Sequence, residues 1–90
     1  MSVEKTLTIK NRLGLHARAA SRFVQTTNKF TADVFVSKDG QEVDGKSIMG
    51  LLILAAPEGS EIEVRVSGED AEAAIAAIEE LIDRRFDEEE

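Results

Sequence analysis

Gly14-Leu15-His16-Ala17-Arg18-Ala19-Ala20 is the stretch where the residue pattern changes from strand to helix. Apolar and polar residues alternate before it, which predicts a half-buried strand. The apolar members of that strand are Val3, Leu7 and Ile9. After the start of this stretch, apolar residues recur at helical spacing on one face. These are Ala20, Phe23 and Val24, and Thr27 lies on the same face. The only histidine of the chain therefore lies at the predicted start of a helix.

This position gives His16 a chemistry suited to anions. The first-turn N–H groups of a helix have no intrahelical partner, and the helix dipole is positive there. Arg18 adds a guanidinium fork that fits phosphate oxygens. Imidazole gains and loses a charge or a covalent group near neutral pH. The residues favour a histidine that carries a phosphoryl group, although a lone histidine here could also be a plain helix cap.

Length and composition indicate one domain spanning residues 1–90, with residues 87–90 as a frayed acidic tail. The chain has no cysteine, which excludes disulfides and thiolate metal sites. Its first residues lack the pattern of a signal peptide. The longest apolar run, residues 48–56, is far shorter than the ~20 residues of a membrane helix. We expect a cytoplasmic protein with no membrane partner.

The charge is unevenly distributed along the chain. The net charge is −7, which disfavours nucleic-acid binding. Residues 1–50 have eight Lys or Arg against five Asp or Glu, whereas residues 51–90 have three against thirteen. His16 lies in the basic half, which suits an acidic protein partner or a phosphorylated group. Arg12 and Arg22 are expected to be solvated charges, with added positive potential near His16 as the alternative.

The remaining patterns predict two strands, a helix, a strand and a helix. Lys38-Asp39-Gly40 predicts a hairpin between the two strands. Ser47 is a good N-cap for a helix of about two turns in the apolar run 48–56, since helices usually stop before a proline such as Pro57. The last helix has an apolar stripe from Ala71 to Ile82. This order predicts an α/β two-layer sandwich with helices on one face of an antiparallel or mixed sheet.

The short second helix is apolar nearly all round. One sheet cannot cover every side of it, so part of its surface is expected to be exposed. Ile48, Met49 and Leu52 are the candidates for that exposed part, with ordinary core packing as the alternative.

Two motifs of the chain resemble the HPr family, the histidine-containing phosphocarriers of the bacterial phosphotransferase system. One is Gly14-Leu15-His16-Ala17-Arg18, and the other is Lys46-Ser47-Ile48-Met49-Gly50. Their spacing, the order of elements and the total length also match. The resemblance implies an open-faced β-sandwich of four antiparallel strands, covered on one face by three helices in the order β-α-β-β-α-β-α.

The resemblance also implies a function and its residues. His16 is expected to accept a phosphoryl group on Nδ1 from phospho-enzyme I, charged by phosphoenolpyruvate, and to pass it to an enzyme IIA domain. Arg18 corresponds to the arginine that neutralises the phosphoryl oxygens, and the backbone N–H groups of Ala17 and Arg18 are placed to hold them. Such a protein is a stoichiometric carrier rather than an enzyme, and the family uses no metal or cofactor on it.

Further expectations concern regulation and docking. Ser47 matches the serine that HPr kinase/phosphorylase modifies in many members, and Ile48, Met49 and Leu52 match the apolar contacts that partners cover. We expect a monomer. Ala19 stands where the family usually has proline, which leaves the first helical turn freer. Alanine there is similar to members of nitrogen-type regulatory phosphorelays, so the sequence leaves that branch and sugar uptake both open.

Two other functions are compatible with the residues alone. One is a regulatory docking or small-molecule-sensing α/β module that relays no phosphate, although such proteins typically lose the histidine. The other is a hydrolase that uses His16 as a base, which lacks a nucleophile partner and a pocket signature.

Overall fold

Strands and helices alternate along the chain in the computed structural model, which describes residues 1–88. The order β-α-β-β-α-β-α is confirmed, with a short turn at Arg85–Asp87 after the last helix. The elements are β1 (Ser2–Thr8), α1 (Ala17–Thr27), β2 (Asp33–Lys38), β3 (Gln41–Asp44), α2 (Ile48–Leu54), β4 (Glu61–Ser67) and α3 (Ala71–Asp83).

The strands form one sheet in the order β1-β4-β2-β3, and every neighbouring pair is antiparallel. In β4, which is central, Val66 lies opposite Val3 of β1 on one side and Val34 of β2 on the other. The expected four-stranded antiparallel sheet is confirmed, and the mixed alternative is not what forms.

The hydrophobic core lies between one face of this sheet and the helices. Alternate strand residues point into it because successive side chains of a strand face opposite ways. The fully buried ones include Val34, Val36, Ile62, Val64 and Val66. The predicted stripes of α1 and α3 are buried against them. Burying each such side chain contributes about 1.5–3 kcal/mol.

The other face of the sheet is open and carries polar contacts. Arg65 of β4 lies over the ring of Phe35, 5.0 Å from its centroid. The same guanidinium donates to Glu42 Oε2 at 2.8 Å. Such exposed contacts are individually weak, so the covered face provides most of the stability.

The helix α2 has about the two turns predicted and ends at Leu54, two residues before the end of the apolar run. Ala55 takes the left-handed conformation with φ 50° and closes the helix. Ala56 precedes Pro57, which disfavours helical backbone. Its carbonyl oxygen instead accepts a hydrogen bond from the Leu15 N–H at 2.9 Å. The end of α2 is therefore set by a contact with the loop before α1.

Gly14 allows these two loops to meet closely. Its φ is +69°, a left-handed value that favours glycine. A Cβ atom at this position would lie 2.4 Å from the carbonyl oxygen of Ala56. Only a residue without a side chain lets the loop reach His16 along this path.

Gly14→Ala is expected to destabilise the protein by more than about 2 kcal/mol in a urea unfolding experiment. The substitution adds the cost of left-handed backbone to a steric overlap with the backbone of Ala56. Gly40→Ala is the matched control, because Gly40 has φ +83° but a Cβ atom added there would have no neighbour within 4 Å. It should cost only the conformational part, about 1–2 kcal/mol. Equal costs for the two variants would contradict the close approach.

Candidate functional site

His16 is the N-cap of α1, as the sequence predicts. Its backbone is extended, with φ −79° and ψ 178°, and its carbonyl accepts the Ala20 N–H at 2.8 Å. Its ring Nδ1 accepts a hydrogen bond from the backbone N–H of Arg18 at 3.3 Å. The lone pair of Nδ1 is therefore directed at the open start of the helix.

Three hydrogen bonds between residues close in sequence hold the loop before His16. The Gly14 N–H donates to the Asn11 carbonyl at 3.1 Å, and the His16 N–H donates to the Gly14 carbonyl at 2.9 Å. The Asn11 side chain is fully buried, and its Nδ2 donates to the same Gly14 carbonyl at 2.7 Å. These bonds fix the backbone that carries the imidazole.

The other ring nitrogen, Nε2, contacts the side-chain carboxylate of Glu88. The Glu88 side chain is only 8% exposed, whereas that of His16 is 29% exposed. Burial raises the pKa of Glu88, but hydrogen bonds from His16 and Asn11 and the charge of Arg22 outweigh it and hold this pKa below its usual value. Glu88 is thus an ionised carboxylate behind a partly accessible imidazole.

Arg18 and Ala17 are both exposed in the first turn of α1. Within residues 1–88, the Arg18 guanidinium makes no hydrogen bond or ion pair with another side chain. Its charge is available to an incoming anion beside the helix start. The structure therefore places His16, Ala17 and Arg18 of the first predicted motif at one surface.

The second predicted motif lies at the start of α2. Ser47 is its N-cap, as predicted, and its Oγ accepts the Gly50 N–H at 3.0 Å. Ile48, Met49 and Leu52 are 41%, 70% and 37% exposed, whereas the core side of the helix is buried. The predicted exposure of part of α2 is confirmed, and the three residues are not ordinary core.

A shallow groove joins the first motif to Leu52 of α2. It has a volume of about 350 Å³ and is lined by residues that include His16, Leu52 and Leu13. Leu13 is 65% exposed and was not predicted as part of this surface. The groove shows that the histidine and the apolar part of α2 belong to one face of the protein.

The C-terminal segment differs from the frayed acidic tail expected for residues 87–90. Asp87 lies in a left-handed turn, and the Glu88 side chain is largely covered. Residues 89 and 90 lie outside the described part of the chain. Arg22, expected to be solvated, is half-buried and donates to the Phe86 carbonyl.

The site therefore contains three residues that were not predicted, Asn11, Phe86 and Glu88, whereas a charge of Arg22 near it was the alternative interpretation. One signal was present: Phe86 is an isolated aromatic residue in an otherwise acidic terminus. Its ring is fully buried, so the segment packs against the core. No local pattern indicated which carboxylate would then reach His16.

Two other kinds of site are not formed by residues 1–88. No three or more His, Asp or Glu side chains in this part are grouped to hold a metal ion. No helix there has the length and hydropathy that crossing a membrane requires.

Fold and site together define a small α/β protein that presents one histidine at a helix N-terminus. A family model described as "PTS HPr component phosphorylation site" matches residues 3–84. The Phosphocarrier protein HPr of Xylella fastidiosa (strain Temecula1) is 49% identical over 86 residues, which covers 96% of this chain and 97% of that protein. The chain belongs to the HPr family of the phosphotransferase system.

Solved structures agree with this assignment. The crystal structure of HPr-C-His from Thermoanaerobacter tengcongensis is 44% identical, has a TM-score of 0.93 and covers 98% of this chain and 99% of its own. A structure titled as an HPr dimer from the same organism has a TM-score of 0.78 at 44% identity, with coverages of 91% and 94%. The open-faced sandwich is confirmed, and the protein functions as a phosphoryl carrier rather than as a catalyst.

Proposed function

We propose that His16 accepts a phosphoryl group on Nδ1 from phospho-enzyme I, charged by phosphoenolpyruvate, and passes it to an enzyme IIA domain. One observation carries this assignment: Nδ1 is a hydrogen-bond acceptor at the start of α1, in a ring that is partly exposed. A nitrogen in that state has a lone pair and no proton, as a nucleophile requires.

The surrounding groups suit the phosphoryl oxygens. Backbone N–H groups and the positive end of the α1 dipole favour negative charge at this position. As phosphorus approaches Nδ1, the Arg18 N–H exchanges that nitrogen for a phosphoryl oxygen, and the Ala17 N–H takes another. The Arg18 guanidinium neutralises charge in the transition state.

The partners of the phosphotransferase system are proposed to dock on the face described above. Ile48, Met49 and Leu52 supply apolar contact beside the groove that contains His16. The basic excess of residues 1–50 favours acidic partner surfaces. We propose that the chain, as one domain of residues 1–90, works as a monomer in the cytoplasm, where its partners would meet it.

Ser47 is proposed as a regulatory phosphorylation site for HPr kinase/phosphorylase. It precedes Leu52 on the docking face by five residues, about 7.5 Å along the helix. A phosphate at the N-cap is favoured by the helix dipole, so the helix would remain intact. Its charge of about −2 would repel an acidic partner at the docking face.

Incubation with phosphoenolpyruvate and enzyme I is expected to give one acid-labile phosphate per chain, because phosphohistidine is hydrolysed in acid. His16→Ala should take up none while keeping its circular dichroism spectrum. Phosphate content is measured by intact mass before and after acid treatment. An acid-stable phosphate, or uptake by His16→Ala, would assign the acceptor elsewhere.

Arg18→Ala is expected to slow phosphoryl uptake by about 10- to 100-fold, since it removes positive charge from the transferring oxygens. Arg18→Lys should fall between this variant and the parent, because it keeps the charge and loses the fork. Lys29→Ala removes one exposed charge just beyond the opposite end of α1 and should transfer at the parent rate. Rates come from quenched-flow measurements. Equal slowing by Lys29→Ala would show a general charge effect.

Ser47→Asp is expected to keep thermal stability near that of the parent, since aspartate is a good N-cap. It is expected to raise the KM of enzyme I for this protein. Ser47→Ala should lose about 1 kcal/mol of stability and keep the parent KM. Gln25→Glu adds the same charge on α1 and serves as the control. Unchanged KM in Ser47→Asp would reject regulation by charge.

A further inference from the structure

The chain after α3 returns to the phosphoryl-accepting histidine by an unusual backbone path. Arg85, Phe86 and Asp87 have φ values of 56°, 54° and 60°, all left-handed. Each such non-glycine residue costs about 1–2 kcal/mol, so the path must be enforced by other contacts. The Phe86 side chain is fully buried, and Arg22 of α1 donates to its carbonyl. These contacts bind the turn to the helix that begins at His16.

The turn delivers Glu88 to a fixed position. Glu88 Oε2 contacts His16 Nε2, and Glu88 Oε1 accepts a hydrogen bond from Asn11 Nδ2 at 3.0 Å. Both carboxylate oxygens are thus held from two sides, in a side chain that is 8% exposed. A carboxylate with this degree of constraint has a defined direction toward the imidazole ring.

The side chain of Asn11 shows that this constraint has a cost in free energy. Its Nδ2 donates both to Glu88 and to the Gly14 carbonyl, whereas its buried Oδ1 has no partner within residues 1–88. An unsatisfied buried acceptor costs about 1–3 kcal/mol. Asn11 therefore contributes through the two hydrogen bonds that its Nδ2 donates. Both of them fix groups that lie next to His16.

The charge state of Glu88 determines where the imidazole proton resides. An ionised carboxylate can only accept, so Nε2 must carry the proton in their contact. The Nδ1 atom, which accepts the Arg18 N–H at 3.3 Å, must then be without one. The two contacts on opposite sides of the ring require the same tautomer.

We propose that Glu88 is a positioning residue for phosphoryl transfer, which holds His16 in its Nε2–H tautomer and neutralises the imidazolium formed when Nδ1 is phosphorylated. This inference rests on the function proposed above. It assigns the C-terminal turn a role in the reaction in addition to its packing.

The transfer balances without exchange of a proton. The Nδ1 lone pair forms the bond to phosphorus while the bond from phosphorus to the donor's leaving group breaks, and that group keeps the electron pair. The ring gains one positive charge, with its proton still on Nε2. Glu88 faces this proton and offsets the new charge. Transfer to the next acceptor reverses the same steps.

Glu88→Gln is the main test, because it removes the charge and keeps the shape of the side chain. With phosphoenolpyruvate and excess enzyme I, its maximal rate of phosphate uptake should fall about 10-fold with an unchanged KM, since the docking face is intact. Glu88→Ala, which also removes the acceptor, should fall further. Glu72→Gln removes one exposed charge in the first turn of α3, away from the C-terminal turn, and should keep the parent rate.

A spectroscopic measurement separates positioning from mere anchoring of the terminus. In ¹⁵N-labelled parent protein, the hydrogen-bonded Nε2–H of His16 should give a proton signal protected from exchange with water. Glu88→Ala should lose this signal while its melting temperature and amide spectrum show a folded protein. If Glu88→Ala unfolds, the rate and Nε2–H signal of Glu88→Gln decide the question.

The outcomes distinguish this inference from the function on which it rests. If the parent takes up no phosphate on His16, the proposed function fails. If the parent is phosphorylated and Glu88→Gln matches or exceeds its rate, only the role of Glu88 is overturned. A faster variant would identify the carboxylate as an inhibitory contact.

Discussion

The hydrogen bond from the Arg18 backbone N–H to His16 Nδ1 is the contact on which the site depends. It makes one side chain both the cap of α1 and the group exposed at its start. At 3.3 Å it lies just beyond the common range for an N–H donor, so it orients the lone pair and is easily exchanged. A shorter bond would cap the helix better and leave the nitrogen less available to phosphorus.

The sheet contributes to this contact through the loops that its strands connect. The Leu15 N–H and Gly14 both lie against Ala56, in the connection between α2 and β4. The start of α1 is thus fixed by the same segment that ends α2. This arrangement explains why His16 and Leu52 of α2 share one groove, although they are more than 30 residues apart in sequence.

Most of the fold follows from local patterns. The alternation in β4 and the stripe of α3 are strong signals, because each side chain that faces the core is apolar. The hairpin at Asp39-Gly40 was predictable too, since two consecutive left-handed residues suit a two-residue loop. His16 and Ser47 as helix caps were also within reach of sequence analysis, because capping depends on neighbouring residues.

The C-terminal turn was not predictable, because its path depends on contacts with residues that are distant in sequence. The residues Arg85, Phe86 and Asp87 have no local preference for left-handed backbone, and an acidic terminus usually remains solvated. Burial of one aromatic ring overrides both tendencies, and that gain exists only once the core has formed. The residue at which α2 ends was not predictable for the same reason, since it depends on a contact with the loop before α1.

The two sides of the imidazole ring differ in charge, and a carrier benefits from that difference. The Nδ1 side faces backbone N–H groups and the helix dipole, which favour a bound phosphoryl group. The Nε2 side faces Glu88, which by our proposal offsets the positive charge that the ring gains on phosphorylation. A carrier must release what it accepts, so stabilisation of the phosphorylated state alone would trap the group. The two contacts of the unphosphorylated ring, from the Arg18 N–H and to Glu88, stabilise that state as well and so favour release.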